Sequence, residues 1–332
     1  MRRFLVKFCA LFSIIWGLIA YCTFVVQPQA SGDMGKIGMI PFGNKYNASI
    51  NEPFDLLESC VNTFPDTVEQ TSSVLTIGDS FSQLGKYGYS QFVAMKTKCV
   101  IRNIARTEYF PEQEFIVLVN NHKISPGTIV IIESVERSFI GRLNNLDLSE
   151  TNMSKPLPKE NNEIDALNGA LIWLRTALGM KQPIKKFHTE KDLFSHETRH
   201  NELYIYSSKW DGDGDILFGD LTDDYIKKAY ENLYKLQEFA QNNEINLIYL
   251  VAADKYDVYE PFILEDHPKN PTLDSIPNEK WLINTKPLLQ EAVYSGIKDV
   301  YYINDTHWSP IGSQIVGEEV AKRIKDLYLS QE

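Results

Sequence analysis

The chain has 332 residues and a formal net charge of −11, with 44 acidic against 33 basic side chains. That balance excludes a protein that grips nucleic acid by its phosphates, because such affinity rests on Lys and Arg. Hydrophobic residues make up 43% and charged residues 23%. This is a globular composition rather than a disordered one, and the length allows one large domain or two small ones.

The N-terminus stands apart. "MRRFLVKFCALFSIIWGLIAYCTFVV" places Arg2, Arg3 and Lys7 ahead of an apolar run from Phe8 to Val26. A helix needs about 20 apolar residues to cross a bilayer, and basic residues before it keep the N-terminus in the cytoplasm. A cleaved signal peptide is the alternative. "PQA" at Pro28–Ala30 is a poor small-x-small site, so residues 1–30 read as an uncleaved membrane anchor with the remainder outside the cytoplasm. Cys60 and Cys99 fall in the exported part, where a disulfide persists. A bridge and two buried thiols both remain open, since spacing alone sets no pairing.

Residues 31–72 read as a lead-in, and 73–332 as one domain. "VLTIG" is a short buried strand. "SFSQLGKYGYSQFVAMKTK" reads as a helix weakened by Gly85 and Gly88. "CVIRNIA" is a strand, "PEQEFIVLVNNH" a helix opened by Pro111, and "GTIVIIESVE" a third strand. Residues 140–220 break the rhythm and read as an insertion or lid, in which His188, His196 and His200 lie in a flexible, solvated stretch. "DGDGDILFGD" alternates acids like a calcium loop, but Ile216 and Thr222 stand where that loop needs Gly and Glu. It reads as a polar turn, and no metal site is expected. The alternation then resumes. "TDDYIKKAYENLYKLQEFAQNN" is an amphipathic helix capped by Thr222, and "INLIYLVAADK" a strand. "KWLINTKPLLQEAVYSG" is broken by Pro287, and "VYYIND" is the last strand. A final helix is capped by Ser309 with Pro310 at its first position. Such alternation predicts an α/β fold with a parallel sheet covered on both faces.

In such sheets ligands sit beyond the carboxyl ends of the strands. Ser80 follows the first strand and "NDTHW", Asn304–Trp308, follows the last, so two distant segments reach one edge. A serine hydroxyl needs a base to take its proton, and the base needs a carboxylate to hold its tautomer. Asp305 and His307 in extended backbone would point the same way. Ser80, His307 and Asp305 are therefore the candidate catalytic residues. Ser80 at a helix N-terminus would also find backbone N–H groups for an oxyanion.

"IGDSFSQ" and "NDTHWSPIGSQIVGEEVA" resemble the SGNH hydrolase superfamily. The Asp-x-His-Trp form is similar to its alginate O-acetyltransferase-like branch and DHHW relatives. "IIESVERSF" and "LVAADKYDVYEPF" resemble that branch's strand ending in Glu-Arg and its strand followed by Lys and Tyr. The resemblance runs from about Val74 to the C-terminus, apart from 140–220. It implies a flavodoxin-like three-layer α/β/α sandwich. In the alginate enzymes Asp-x-His precedes the serine motif; here Ser80 comes first, as in unpermuted SGNH enzymes, so alginate is not carried over as substrate. The family's oxyanion Gly and Asn are not evident. Asp79, Phe81, Asn103, Arg137, Lys255, Tyr259 and Trp308 form the candidate oxyanion and substrate set. Structural roles stand beside these: a Glu136–Arg137 ion pair, a snorkelling Lys255, a half-buried Tyr259, and Trp308 as packing anchor rather than sugar-stacking wall.

The resemblance implies a membrane-anchored extracytoplasmic O-acyltransferase, of O-acetyl type, that modifies an exported polysaccharide. A multi-spanning membrane acyltransferase would deliver the acyl donor, with no cofactor. Two alternatives share the residues: a carbohydrate acetyl esterase with water as acceptor, and an inactive SGNH domain that binds glycan or scaffolds a complex.

Overall fold

The computed structural model describes residues 2–21, 34, 44–55, 61–63, 74–155, 184–206 and 222–326. Its centre is a six-stranded sheet. In chain order the strands are β1 (Val61–Thr63), β2 (Val74–Gly78), β3 (Ile101–Ile104), β4 (Ile129–Val135), β7 (Asn246–Ala252) and β8 (Leu282–Asn284). Their spatial order is β1-β3-β2-β4-β7-β8, and every neighbouring pair is parallel. All residues of β2 and β4 are buried. Such continuous burial is what a strand covered on both faces requires, and it is why these segments read as unbroken apolar runs.

The helices fall into two contact groups. One joins α3 (Tyr89–Thr97), α7 (Lys255–Tyr259), α8 (Thr285–Tyr294) and α9 (Pro310–Ile324); the other joins α5 (Glu136–Asn144) to α6 (Asp223–Asn242), with α4 (Pro111–Asn120) lying on β2 and β4. Phe115 of α4 meets Phe239 of α6 edge-on at 6.1 Å. This is the arrangement of a three-layer α/β fold. α3 and α9 approach closely at Gly317, where a Cβ would lie 2.6 Å from both the Phe92 Cβ and the Tyr89 carbonyl oxygen. Thr222 and Ser309 cap α6 and α9 through their side chains, as their residue types predict.

Four expectations are corrected. The stretch after Ser80 is two 3₁₀ turns, Ser80–Gln83 and Gly85–Tyr87, before α3 begins; Gly85, at the start of the second turn, adopts a φ of +60 that favours glycine. "VYYIND" is no sheet strand. Tyr301 makes only an isolated antiparallel bridge to Trp308, and β8 holds the sheet edge. Pro287 does not break its helix, because it falls in the first turn of α8, where its missing N–H costs nothing. Finally, the histidine stretch is structured rather than flexible, although its histidines stay open to solvent as expected, with the His188 and His200 side chains 50% and 40% exposed. β5 (Ile184–His188) pairs antiparallel with β6 (Glu202–Tyr206), the loop between them buries Leu193 and Phe194, and His188 pairs with Glu265 at 2.7 Å.

The lead-in contributes β1 and helix α2 (Asn44–Asn51). Tyr302 donates its hydroxyl to Asn51 at 2.6 Å, which ties this segment to the loop that carries Asp305. The N-terminal residues Arg2–Tyr21 form helix α1. The proposed span runs past α1 into 22–26, outside the described residues, and among the described residues no helix is long and apolar enough to cross a membrane. The helix expected within 156–183, the acid-rich turn at Asp211–Asp220 and Cys60 also lie outside the described residues; Cys99 is half-buried.

Candidate active site

β2 is the point where the chain order reverses: β3 flanks it on one side and β4 on the other. A crevice opens at the carboxyl end of such a strand, and Ser80 is delivered there. Gly78 makes the delivery possible, because a Cβ on it would lie 2.1 Å from the Ser82 hydroxyl and 2.6 Å from the Glu133 carboxyl. Glu133 on β4 accepts the Ser82 N–H at 3.2 Å and the Ser82 hydroxyl at 3.0 Å. Burial, with the Asp79 charge beside it, pushes its carboxyl well above the usual range. Glu133 is thus a buried clamp on the turn that carries Ser80. The signal for it lay in view, as an acid in the middle of the apolar "IVIIESV".

His307 comes from the loop before α9. Its Nδ1 lies 2.7 Å from Asp305 Oδ1, and its Nε2 lies 2.6 Å from Ser80 Oγ. The expected extended backbone is replaced by a turn. Asp305 Oδ1 also accepts the Thr306 N–H at 2.6 Å and the His307 N–H at 3.1 Å, the pattern by which an aspartate builds its own turn. One carboxylate therefore shapes the loop and orients the ring. Burial alone would raise the Asp305 pKa; the charge, ring and backbone N–H of His307, with the Thr306 N–H, outweigh it and hold the carboxyl below its usual range. With Nδ1–H donated to Asp305, the Nε2 lone pair faces the serine proton. Phe81 is buried, with its ring 5.0 Å from the imidazole and 4.5 Å from the indole of Trp308, so it packs the relay from behind.

The other candidates take structural places. Asp79 is bound to Arg142 through two contacts, 2.5 and 2.9 Å, and accepts the Val135 N–H at 2.9 Å. It ties the residue before Ser80 to β4 and α5. Arg142 escaped the sequence reading because its partner is 63 positions away. The Asn103 side-chain amide oxygen accepts the Thr76 hydroxyl at 2.7 Å, and Asn103 pairs with Thr76 in register, below the strand end. Arg137 pairs with Asp254 at 2.5 Å rather than with Glu136. Trp308 is fully buried and donates its indole N–H to the Tyr301 hydroxyl at 3.0 Å; it is a packing anchor, not a sugar-stacking wall. Tyr259 is also fully buried and accepts the Tyr301 N–H at 3.1 Å.

Lys255 does not snorkel, and it borders a small pocket of about 20 Å³ with Tyr204, Tyr206 and Thr306. It is 3% exposed, and its ammonium donates to the carbonyls of Tyr302, Ile303 and Asp305 at 2.7, 2.9 and 3.2 Å. Three acceptors match the three N–H bonds of an ammonium. Burial pushes its pKa down to about 7, with the Asp305 carboxylate opposing the fall. Lys255 is a positioning residue: it stitches together the loop that presents Asp305 and His307.

The four-residue 3₁₀ turn at Ser80 offers little of the aligned dipole that a long helix brings. The Ser82 N–H is already taken by Asp79 O at 3.0 Å and by Glu133, so any oxyanion stabilisation falls to N–H groups nearer Ser80. Among the described residues no cluster of His, Cys, Asp or Glu is arranged to hold a metal ion. The arrangement holds a hydroxyl, a base and an orienting carboxylate in one hydrogen-bonded line, which suits acyl transfer through a covalent intermediate. No family model, curated protein or solved structure matches the chain.

Proposed function

We propose that the chain is a membrane-anchored, extracytoplasmic serine O-acyltransferase of the SGNH type, which moves an acetyl group onto a hydroxyl of an exported polysaccharide. The observation that carries this reading is the continuous line from Ser80 Oγ through His307 to Asp305, at 2.6 and 2.7 Å. The flavodoxin-like assignment of the fold belongs to the same proposal. What supports it is a parallel sheet with Ser80 at its reversal point and the His-Asp turn brought to the same edge.

In the first half-reaction Ser80 Oγ attacks the acyl carbonyl of the donor while His307 Nε2 takes the serine proton. Asp305 stabilises the imidazolium. The tetrahedral intermediate then breaks its bond to the donor's leaving group, which takes the proton from His307. In the second half, His307 takes a proton from a sugar hydroxyl as its oxygen attacks the acyl-serine. Collapse frees Ser80, which regains that proton from His307. Whether sugar or water takes the acyl group depends on how well the cleft excludes solvent. A donor made in the cytoplasm requires a membrane partner that carries the acyl group across, and an anchor such as the one proposed for residues 1–30 would keep the two together.

Mass spectrometry of the full-length protein incubated with p-nitrophenyl acetate tests the reading. The expected result is an adduct of about 42 Da, an acetyl group replacing a proton, on Ser80. No adduct in the wild type, or one that survives in Ser80→Ala, would overturn it.

A further inference from the structure

A cleft of about 140 Å³ opens at the carboxyl ends of β2 and β3, with Gly78 and Asp79 in its wall. It therefore begins one residue before Ser80. Its other side is the β3–α4 loop, and three features of this lining differ from the packed core around the relay. Phe110, in the lining of this cleft, is 54% exposed. The Arg142 guanidinium lies 4.9 Å from the Phe110 ring centroid, and Arg142 is itself locked by Asp79, so the ring is braced from beneath. Glu114 is 1% exposed and lines the same cleft. One of its oxygens accepts the Thr107 hydroxyl at 2.7 Å, and the Ser154 hydroxyl also bonds it. The other oxygen has no hydrogen-bond partner.

A rigid exposed ring beside a buried acceptor in want of a donor is the chemistry that recognises a polyol: apolar C–H bonds on one face, hydroxyl donors at the edge. Charge points the same way. Asp79, Glu108 and Glu114 line the cleft against Arg106 and Arg142, which leaves no cationic surplus for a phosphate or a sugar acid. We propose that this cleft is the acceptor subsite, that it takes one uncharged sugar unit with its C–H face on Phe110, and that Phe110 sets the strength of that contact. This rests on the acyltransferase reading and specifies where its acceptor lies.

Binding is read apart from chemistry by saturation-transfer NMR on full-length Ser80→Ala with methyl β-glucoside as the probe. Transfer to the ring C–H protons is expected in Ser80→Ala. A drop of at least about fivefold is expected in Ser80→Ala/Phe110→Ala, with recovery in Ser80→Ala/Phe110→Trp, as stacking on any large aromatic face predicts. Because Phe110 is exposed, an unchanged melting temperature of the double variant would exclude misfolding as the cause. Absence of transfer in Ser80→Ala, or transfer undiminished by Phe110→Ala, overturns the subsite. Failure of the acyltransferase reading registers separately, as a wild type without the Ser80 adduct.

Discussion

Two groups of acids sit at the same carboxyl edge of the sheet and behave in opposite ways. Around Ser80, Asp305 faces one base and remains ionised, with its carboxyl held below the usual range. Between β4 and β7, Glu136, Asp254 and Asp257 crowd together and are sealed. Glu136 accepts the Asp254 N–H and the Asn270 amide, each at 2.8 Å, and Arg137 closes on Asp254. Burial, then the neighbouring carboxylates, push Glu136 and Asp257 upward, so this group keeps a proton that Asp305 gives up. The difference is that Asp305 faces an imidazole whose second nitrogen reaches a hydroxyl, the geometry the proposed chemistry needs. The same residue types enclosed by one another become a structural knot.

Asp305→Asn should break the comparison most severely. The asparagine amide would favour the wrong imidazole tautomer, and the acetylation rate of Ser80 should fall by about 10⁴-fold in a burst assay with p-nitrophenyl acetate, with the fold retained. Lys255→Met should sharpen it. The three loop carbonyls would lose their donor, and kcat should fall by about 10- to 100-fold through misplacement of His307. The low-field NMR resonance of the His307 Nδ1 proton should broaden, a change that a merely structural role would not produce. Arg137→Ala should act on the other group: loss of the partner of a buried acid costs about 3 kcal/mol, read as a lower denaturant midpoint, while the burst per folded molecule stays at the wild-type value.

A further effect is in pH. Asp257, ordinarily near 3.8, is pushed up to about 7, so the folded state holds a proton that the unfolded chain releases. Its contribution to stability is therefore complete below 3.8 and is lost as pH rises towards 7. Lys255 falls from 10.5 to about 7, so above 7 the unfolded chain binds the extra proton and stability rises towards 10.5. Melting temperatures across this range should show the two slopes. Asp257→Asn should flatten the acid-side fall, and Lys255→Met the alkaline-side rise.

The relay was legible in the residues because both of its halves are local. A glycine-aspartate-serine run after an apolar strand and an aspartate two positions from a histidine are visible without knowing what lies nearby in space. The alternation of strands and helices was legible for the same reason: apolar runs such as "VLTIG" and "IVIIESV" and caps such as Thr222 and Ser309 act on their own neighbours. What could not be read was the partner of each charged or aromatic side chain. Asp79 and Arg142 are 63 positions apart, Arg137 and Asp254 are 117 apart, and Lys255 lies 47 to 50 positions from the carbonyls it binds.

The amino-acid sequence by itself determined the α/β alternation and singled out Ser80, His307 and Asp305 as the candidate hydroxyl, base and orienting acid, because backbone preference and motif chemistry depend on residues a few positions away. Only the tertiary structure decided that Trp308 and Tyr259 are packing, that Arg137 closes an ion pair, that "VYYIND" forms a loop instead of a strand, and that Lys255 and Glu133 hold the relay in place. Burial and pairing arise when distant segments meet, and the low-dielectric interior then sets which groups stay charged.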